Sequence, residues 1–245
     1  MEVVKFSSSS VPSASSASDA NDSVVTLFLH GFPAIRSKQN RAIAEVVARL
    51  TNQPADVLLY AGLGQAPGVF SFSRTVSDVD AYVRSLLGGK PSVRLNLVGH
   101  SFGGFLALRL AGLFPKQIRK MVLMSPLVKV RTGDPVRAWL ASYASNPELC
   151  LGNLDELYEG YSRLATEIST EKLAALVDGS VETLILQADK DNLTPPSDSK
   201  EIAKFFVREP IYELVDNDHS FLSNRAELAA RIASFLVQAE PADQK

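Results

Sequence analysis

The stretch LVGHSFGG, residues 97–104, decides the fold. It sets Ser101 between Gly99 and Gly103, behind an apolar run (Val93, Leu95, Leu97, Val98) and ahead of a second one from Phe105 to Leu110. An apolar strand, a glycine-flanked turn and an apolar helix in that order bend the chain sharply. Only glycines at the flanking positions then avoid the neighbouring backbone, and the serine hydroxyl is left exposed at the tip of the turn. Gly103 and Gly104 also suit a helix packed closely on a sheet, a role that needs no chemistry. The strand-turn-helix context is what makes Ser101 a candidate nucleophile.

Outward from this turn the chain alternates. VVTLFL (24–29), DVLLY (56–60), VRLNLV (93–98), IRKMVLM (118–124), VETLILQ (181–187) and residues 210–215 read as buried strands. Between them, NRAIAEVVARL, 75–87, 102–114, 197–206 and 221–238 carry apolar residues at helical spacing or are apolar throughout. Continuous apolar strands separated by helices predict an α/β fold, a mostly parallel sheet covered on both faces. Residues 126–179 break the rhythm with a proline, a TGDP turn and amphipathic stretches but no strand, which predicts a helical insertion above the sheet. At the other end, SSSSVPSASSASDANDS (7–23) is too polar to offset its ordering entropy and reads as a disordered tail, preceded by a short possible strand in MEVVKF. The expected organisation is a tail over 1–23, a core over 24–125 and 180–240, and a lid over 126–179.

In an open parallel sheet, ligands bind beyond the carboxyl ends of the strands, so the residues just after each strand carry the chemistry. A serine hydroxyl needs a base to take its proton and an acid to orient that base. The chain has three histidines. His100 stands beside Ser101 within the turn, its ring expected to point away from the serine, and His30 follows the first core strand. His219, in DNDHSF between the last strand and the last helix, is left as the base. The loop QADKDNLTPP offers two acids, Asp189 and Asp191. Spacing favours Asp191, which stands deeper in the loop, with Asp189 as the alternative. Asp216 and Asp218 flank His219 too closely in sequence to reach its far ring nitrogen. Acyl chemistry further needs backbone N–H donors aimed at an oxyanion, one from the residue after the nucleophile and one from the loop after an early strand. Phe102 and Phe32 fill those slots.

Composition narrows the partners. Twenty-five Lys and Arg against 27 Asp and Glu leave a formal charge of −2, with no basic run to meet nucleic-acid phosphates. No window approaches the ~20 apolar residues of a membrane span, and the N-terminus lacks the basic start and apolar stretch of a secretory signal. The single cysteine, Cys150, forms no internal disulfide, and no Cys/His cluster has metal-ligand spacing. A cytoplasmic protein without nucleic-acid, membrane, metal or cofactor partners is expected.

Together HGFP, GHSFG, DKDNLTPP and DHSF, in that order, resemble the α/β-hydrolase superfamily of serine hydrolases over nearly all of residues 24–240. The resemblance implies a Ser101–Asp191–His219 triad, a sheet of about six to seven strands and a variable lid at 126–179. YAGLGQAPGVFSFSRTVSDVDAYV (60–83) is similar to the corresponding segment of small carboxylesterases, feruloyl and cinnamoyl esterases among them. Two departures stand out. Ala188 replaces a frequent glycine before the acid loop, and the Ser-rich tail stands where the first two strands usually lie, leaving an edge strand without protection. The implied reaction is hydrolysis of a small or medium acyl or aryl ester through an acyl-enzyme. Thioester hydrolysis or acyl transfer on a carrier, and ligand binding without turnover, are the alternatives. His30 and the lid residues Trp139, Leu140, Tyr143, Leu154, Leu157, Tyr158 and Tyr161 are candidates for the substrate pocket, and Lys129, Arg131 and Arg137 are candidates for contacting an anionic substrate.

Overall fold

Among the described residues, seven strands form one sheet in the order β1-β3-β2-β4-β5-β6-β7. The strands are β1 (Glu2–Phe6), β2 (Val24–Leu29), β3 (Ala55–Leu59), β4 (Arg94–His100), β5 (Ile118–Met124), β6 (Glu182–Ala188) and β7 (Ile211–Val215). The computed structural model describes residues 1–7, 23–34, 37–64, 66–88, 92–167 and 169–239. The Ser-rich stretch read as a tail lies almost wholly outside them.

All strand pairs are parallel except β1 with β3. That exception is the short strand that MEVVKF allowed: Glu2–Phe6, counted above with the tail, joins the sheet and covers the edge of β3 that the sequence left unprotected. Val3 packs on one face and Val4 and Phe6 on the other, while Glu2 and Lys5 are exposed. A short edge strand with charged outward side chains resists pairing with other chains.

Helices α1 (Ser37–Thr51) and α8 (Arg225–Val237) cover one face; α2 (Phe72–Leu87), α3 (Phe102–Leu113) and α7 (Pro196–Ala203) lie on the other. The strands alternate accordingly. Leu27 and Leu29 join the core under α2 and α3, whereas Phe28 joins the one under α1 and α8; Leu97 and Val98 divide in the same way. α3 runs between sheet and insertion, so Phe105, Leu106, Leu108 and Leu110 are all buried. Each such side chain contributes about 1.5–3 kcal/mol.

Two helix boundaries differ from the periodic pattern. α2 starts at Phe72 instead of 75 because the Ser71 hydroxyl accepts the Arg74 N–H at 3.4 Å and caps the helix there. α8 starts at Arg225 instead of 221 because Phe221 and Asn224 hold φ values of 49° and 53°, which a right-handed helix does not admit.

Between β5 and β6 the chain forms three helices, α4 (Asp134–Ala141), α5 (Leu154–Glu167) and α6 (Thr170–Ala175). Their middle is stitched to the loop after β3: Cys150 N–H donates to Gly62 O at 2.8 Å, and Phe70 N–H donates to Cys150 O at 2.8 Å. A Cβ on Gly62, whose φ is +76°, would stand 2.4 Å from Cys150 O, so glycine is required at this junction.

The order of the strands fixes where a site can form. The chain leaves β2 toward β3, crosses back to β4 and then proceeds steadily to β7, so β2 and β4 flank a topological switch point. Leu29 is paired with Gly99 and His100 with Met124, which brings the strand ends level.

Candidate active site

Beyond those level ends, the four sequence motifs meet. Ser101 follows β4 directly, with φ 54° and ψ −118°, a backbone conformation that L-residues rarely adopt. Neighbouring chain holds it there: Ser101 N–H donates to Met124 O at 3.0 Å, and Leu127 N–H donates to Ser101 O at 2.8 Å. The flanking glycines have no room for side chains. A Cβ at Gly99 would lie 2.4 Å from Gly103 O, and one at Gly103 would lie 1.9 Å from Leu29 O.

The loop after β2 closes against this turn. A Cβ on Gly31 would come within 2.9 Å of the Ser101 Cβ, so the Gly31–Phe32 backbone lies directly on the serine. His30 is buried beneath the loop, where its Nδ1–H donates to Gly31 O at 2.9 Å. In a trans peptide the carbonyl and the following N–H point in opposite directions. The His30 bond therefore aims the Phe32 N–H away from His30. Phe102 begins α3, so its N–H has no acceptor within the helix. Among the described residues, no backbone acceptor outside the helices and strands engages either the Phe32 or the Phe102 N–H.

His219 lies four residues past β7 and Asp191 three past β6, and the two meet: His219 Nδ1–H donates to Asp191 Oδ2 at 2.8 Å. The loop after β6 folds around the carboxylate. Leu193 and Thr194 N–H groups each donate to Asp191 Oδ1 at 2.9 Å, and the Thr194 hydroxyl lies 2.9 Å from Oδ2. Burial pushes the Asp191 carboxyl up, but the His219 bond and charge, the Thr194 N–H and the Ser125 hydroxyl outweigh it and hold the pKa at about 2. The ionised carboxylate keeps the His219 proton on Nδ1, which leaves Nε2 free to accept one. Asp189 is engaged elsewhere, accepting the Asn217 N–H at 3.1 Å, and Asp216 pairs with Lys190.

His100 links the candidate base to the candidate nucleophile. Its Nε2–H donates to the His219 carbonyl at 2.7 Å, with the two rings 5.0 Å apart, so the residue before Ser101 carries the backbone of the histidine loop. Burial, with the His219 charge, lowers the His100 pKa to about 3, and burial lowers that of His30 to about 4. Both rings are neutral near pH 7 and serve as donors.

Ser101 and His219 line one cavity of about 240 Å³ together with Phe32, Phe72, Phe102, Leu127, Trp139, Tyr161 and Leu193. The two side chains make no direct hydrogen bond, a contact that commonly tightens only with substrate. Of the pocket candidates, Trp139 and Tyr161 reach the lining. His30, Leu140, Tyr143, Leu154, Leu157 and Tyr158 do not. His30 is held by Gly31 O, Tyr143 packs on the Phe32 and Trp139 rings at 5.7 Å from each, and the Tyr158 hydroxyl accepts the Gly133 N–H at 2.8 Å. Leu140 is wholly buried in the core. Sequence reasoning missed the side chains of Phe32 and Phe72, and Pro135 and Val136, which join Trp139 on one side of α4. The spacing of 135, 136 and 139 was a legible sign of that shared side.

The family model described as serine aminopeptidase, S33, matches residues 22–155, more than half of the chain. No curated protein matches the sequence. Among solved structures, Est1E from Butyrivibrio proteoclasticus with ferulic acid bound superposes with a TM-score of 0.72 at 14% identity, over 96% of this chain and 94% of that one. A monoacylglycerol lipase from Paleococcus ferrophilus gives 0.64 at 16% identity, over 96% and 98%. A metagenome-derived lipolytic enzyme described with LipS and LipT gives 0.67 at 22% identity, over 96% of each chain. At these identities the likeness establishes the fold.

Proposed function

The chain belongs to the α/β-hydrolase family described as serine aminopeptidase, S33, and from that premise we propose that it is a serine-dependent carboxylester hydrolase. The observation that carries the reading is the Asp191–His219 pair at 2.8 Å, whose histidine shares a cavity with the strained Ser101. His219 Nε2 removes the Ser101 proton as Oγ attacks the ester carbonyl, and the Phe32 and Phe102 N–H groups receive the oxyanion. His219 then returns the proton to the departing alkoxide, leaving an acyl-Ser101. Water attacks that ester with His219 again as base, and the carboxylic acid leaves.

The family description raises peptide substrates, but the cavity argues against a free amino terminus there. Among the described residues, the cations that line it are Lys129 and Arg131, and no carboxylate lines it to receive an ammonium group. Its largely carbon walls favour an acyl or aryl ester, in keeping with the ferulic acid named for Est1E and the lipolytic names of the other two neighbours. Helices α4 and α5 act as the lid, because Pro135, Val136 and Trp139 of α4 and Tyr161 of α5 line the cavity.

The test is hydrolysis of a chain-length series of p-nitrophenyl esters and one acyl-CoA by the parent protein, Ser101→Ala and His219→Ala. Turnover of the esters that both substitutions abolish supports the reading. Faster turnover of the acyl-CoA would move the assignment to a thioesterase. An inert parent that a fluorophosphonate does not label would refute it.

A further inference from the structure

One wall of the cavity is unlike the rest. After β5 the chain runs from Leu127 to Arg131 with alternating sides: Leu127, Lys129 and Arg131 line the cavity, while Val128 and Val130 pack into the core. Leu127 is anchored at Ser101 by its N–H, 2.8 Å from the serine carbonyl. An extended chain advances about 3.3 Å per residue, so Lys129 stands at most roughly 7 Å and Arg131 roughly 13 Å farther along the wall. Along the chain the lining passes from Leu127, anchored at Ser101, to the cations Lys129 and Arg131 two and four residues farther on.

Both cations reach solvent, and they differ in how they are held. Arg131 Nη2 lies 2.7 Å from Oδ2 of Asp198, a carboxylate that is itself buried. The bond fixes the guanidinium while using one edge of its donor fork. Lys129 meets Glu201 only at 4.0 Å, with both side chains more than half exposed, a separation at which an ion pair holds weakly. Tyr161 adds a hydroxyl to the same lining; burial raises its pKa to about 12 against the pull of the Arg131 charge, so it remains a neutral donor. Arg137, by contrast, pairs with Asp155 over the Tyr158 ring and stays out of the cavity.

Resting on the reading of Ser101 as nucleophile, we propose that the substrate is an ester of medium length with an anionic group at the end remote from the scissile bond, received by Arg131 and Lys129. The carbon-lined part of the cavity takes the intervening chain or ring. One charge-assisted hydrogen bond gained with the anionic end corresponds to a preference of about tenfold or more over a neutral analogue.

The experiment compares kcat/KM within two matched pairs at low salt. The first pair is the mono-p-nitrophenyl ester of suberic acid against p-nitrophenyl octanoate, with the anion on the acyl side. The second is 8-acetoxyoctanoate against octyl acetate, with the anion on the alcohol side. A preference of about tenfold for the anion in either pair is expected, falling as salt is added. It should collapse toward one in Lys129→Gln/Arg131→Gln and persist in Arg137→Gln. The ratio is internal to each variant, and a melting curve confirms that each is folded. No preference in either pair, or one that survives the double substitution, overturns the proposal while leaving the esterase reading intact. Absence of turnover on all four esters, together with no fluorophosphonate labelling, overturns both.

Discussion

Replacing Ser101 by glycine should make the protein inactive and more stable than replacing it by alanine. At φ 54° and ψ −118° an L-residue is held out of its allowed regions, at a cost of about 1–3 kcal/mol. Alanine removes the hydroxyl and keeps that strain. Glycine adopts the same backbone freely, although its looser unfolded chain takes back about 0.4–1 kcal/mol. Neither substitution opens a significant cavity, since only one oxygen, or one oxygen and one carbon, is removed. The net difference is about 1 kcal/mol in favour of Ser101→Gly, which for a chain of this size corresponds to a melting temperature higher by about 2–4 °C. Calorimetry on the two variants, with p-nitrophenyl butyrate hydrolysis alongside, measures both quantities. A Ser101→Gly protein that melts at or below Ser101→Ala would refute the claim that the turn stores strain for the sake of exposing the nucleophile.

Gly31→Ala would place a Cβ 2.9 Å from that of Ser101, forcing the Phe32 N–H off its aim; kcat should fall by about 10²–10³ with an unchanged circular dichroism spectrum. Stability should depend on pH through His30. Its folded pKa of about 4 lies below the ordinary 6.5, so the unfolded chain binds more protons between those values. The corresponding stability, about 3 kcal/mol, is present above pH 6.5 and lost as pH falls toward 4; urea unfolding of His30→Gln across that range should show a flatter dependence. Lys120 is wholly buried, donating to Phe235 O and Gln238 O at 2.9 Å and pairing with Glu182 at 2.8 Å. Lys120→Met leaves these acceptors short of a donor and should destabilise by about 3 kcal/mol, seen as a melting temperature lower by roughly 6–12 °C.

The strands β2 to β6 were legible because most of their residues are buried and so read as largely apolar runs, and β7 because it falls between two helical stretches. β1 was legible only as a possible strand in MEVVKF: it is a half-exposed edge strand separated from the next by a polar stretch, and its place beside β3 could not be read from the sequence. Asp191 and His219 could be picked out because a parallel sheet gathers the ends of its strands, so residues far apart in sequence share a location. The pocket lining was less accessible. Tyr143 and Tyr158 have the same residue type and lie on the same insertion as Tyr161, and what separates them is their partners: Tyr143, in the turn after α4, packs on Phe32 and Trp139, and Tyr158, on the same helix as Tyr161, accepts the Gly133 N–H.

His30 shows why a correct motif still misassigns a residue. A histidine beside an oxyanion loop reads equally well as a group facing substrate or as a support beneath the loop, since either use places it one residue before Gly31. Burial decides between them. With its ring 3.9 Å from that of Tyr60 and its Nδ1–H on Gly31 O, it orients the peptide that carries the Phe32 N–H. His100 stands in the same relation to the base, holding the His219 carbonyl. On the proposed mechanism, one histidine positions an oxyanion donor, a second positions the base and the third is the base itself. A low pKa is what suits the first two, because a donor buried against backbone must remain neutral while the third exchanges protons.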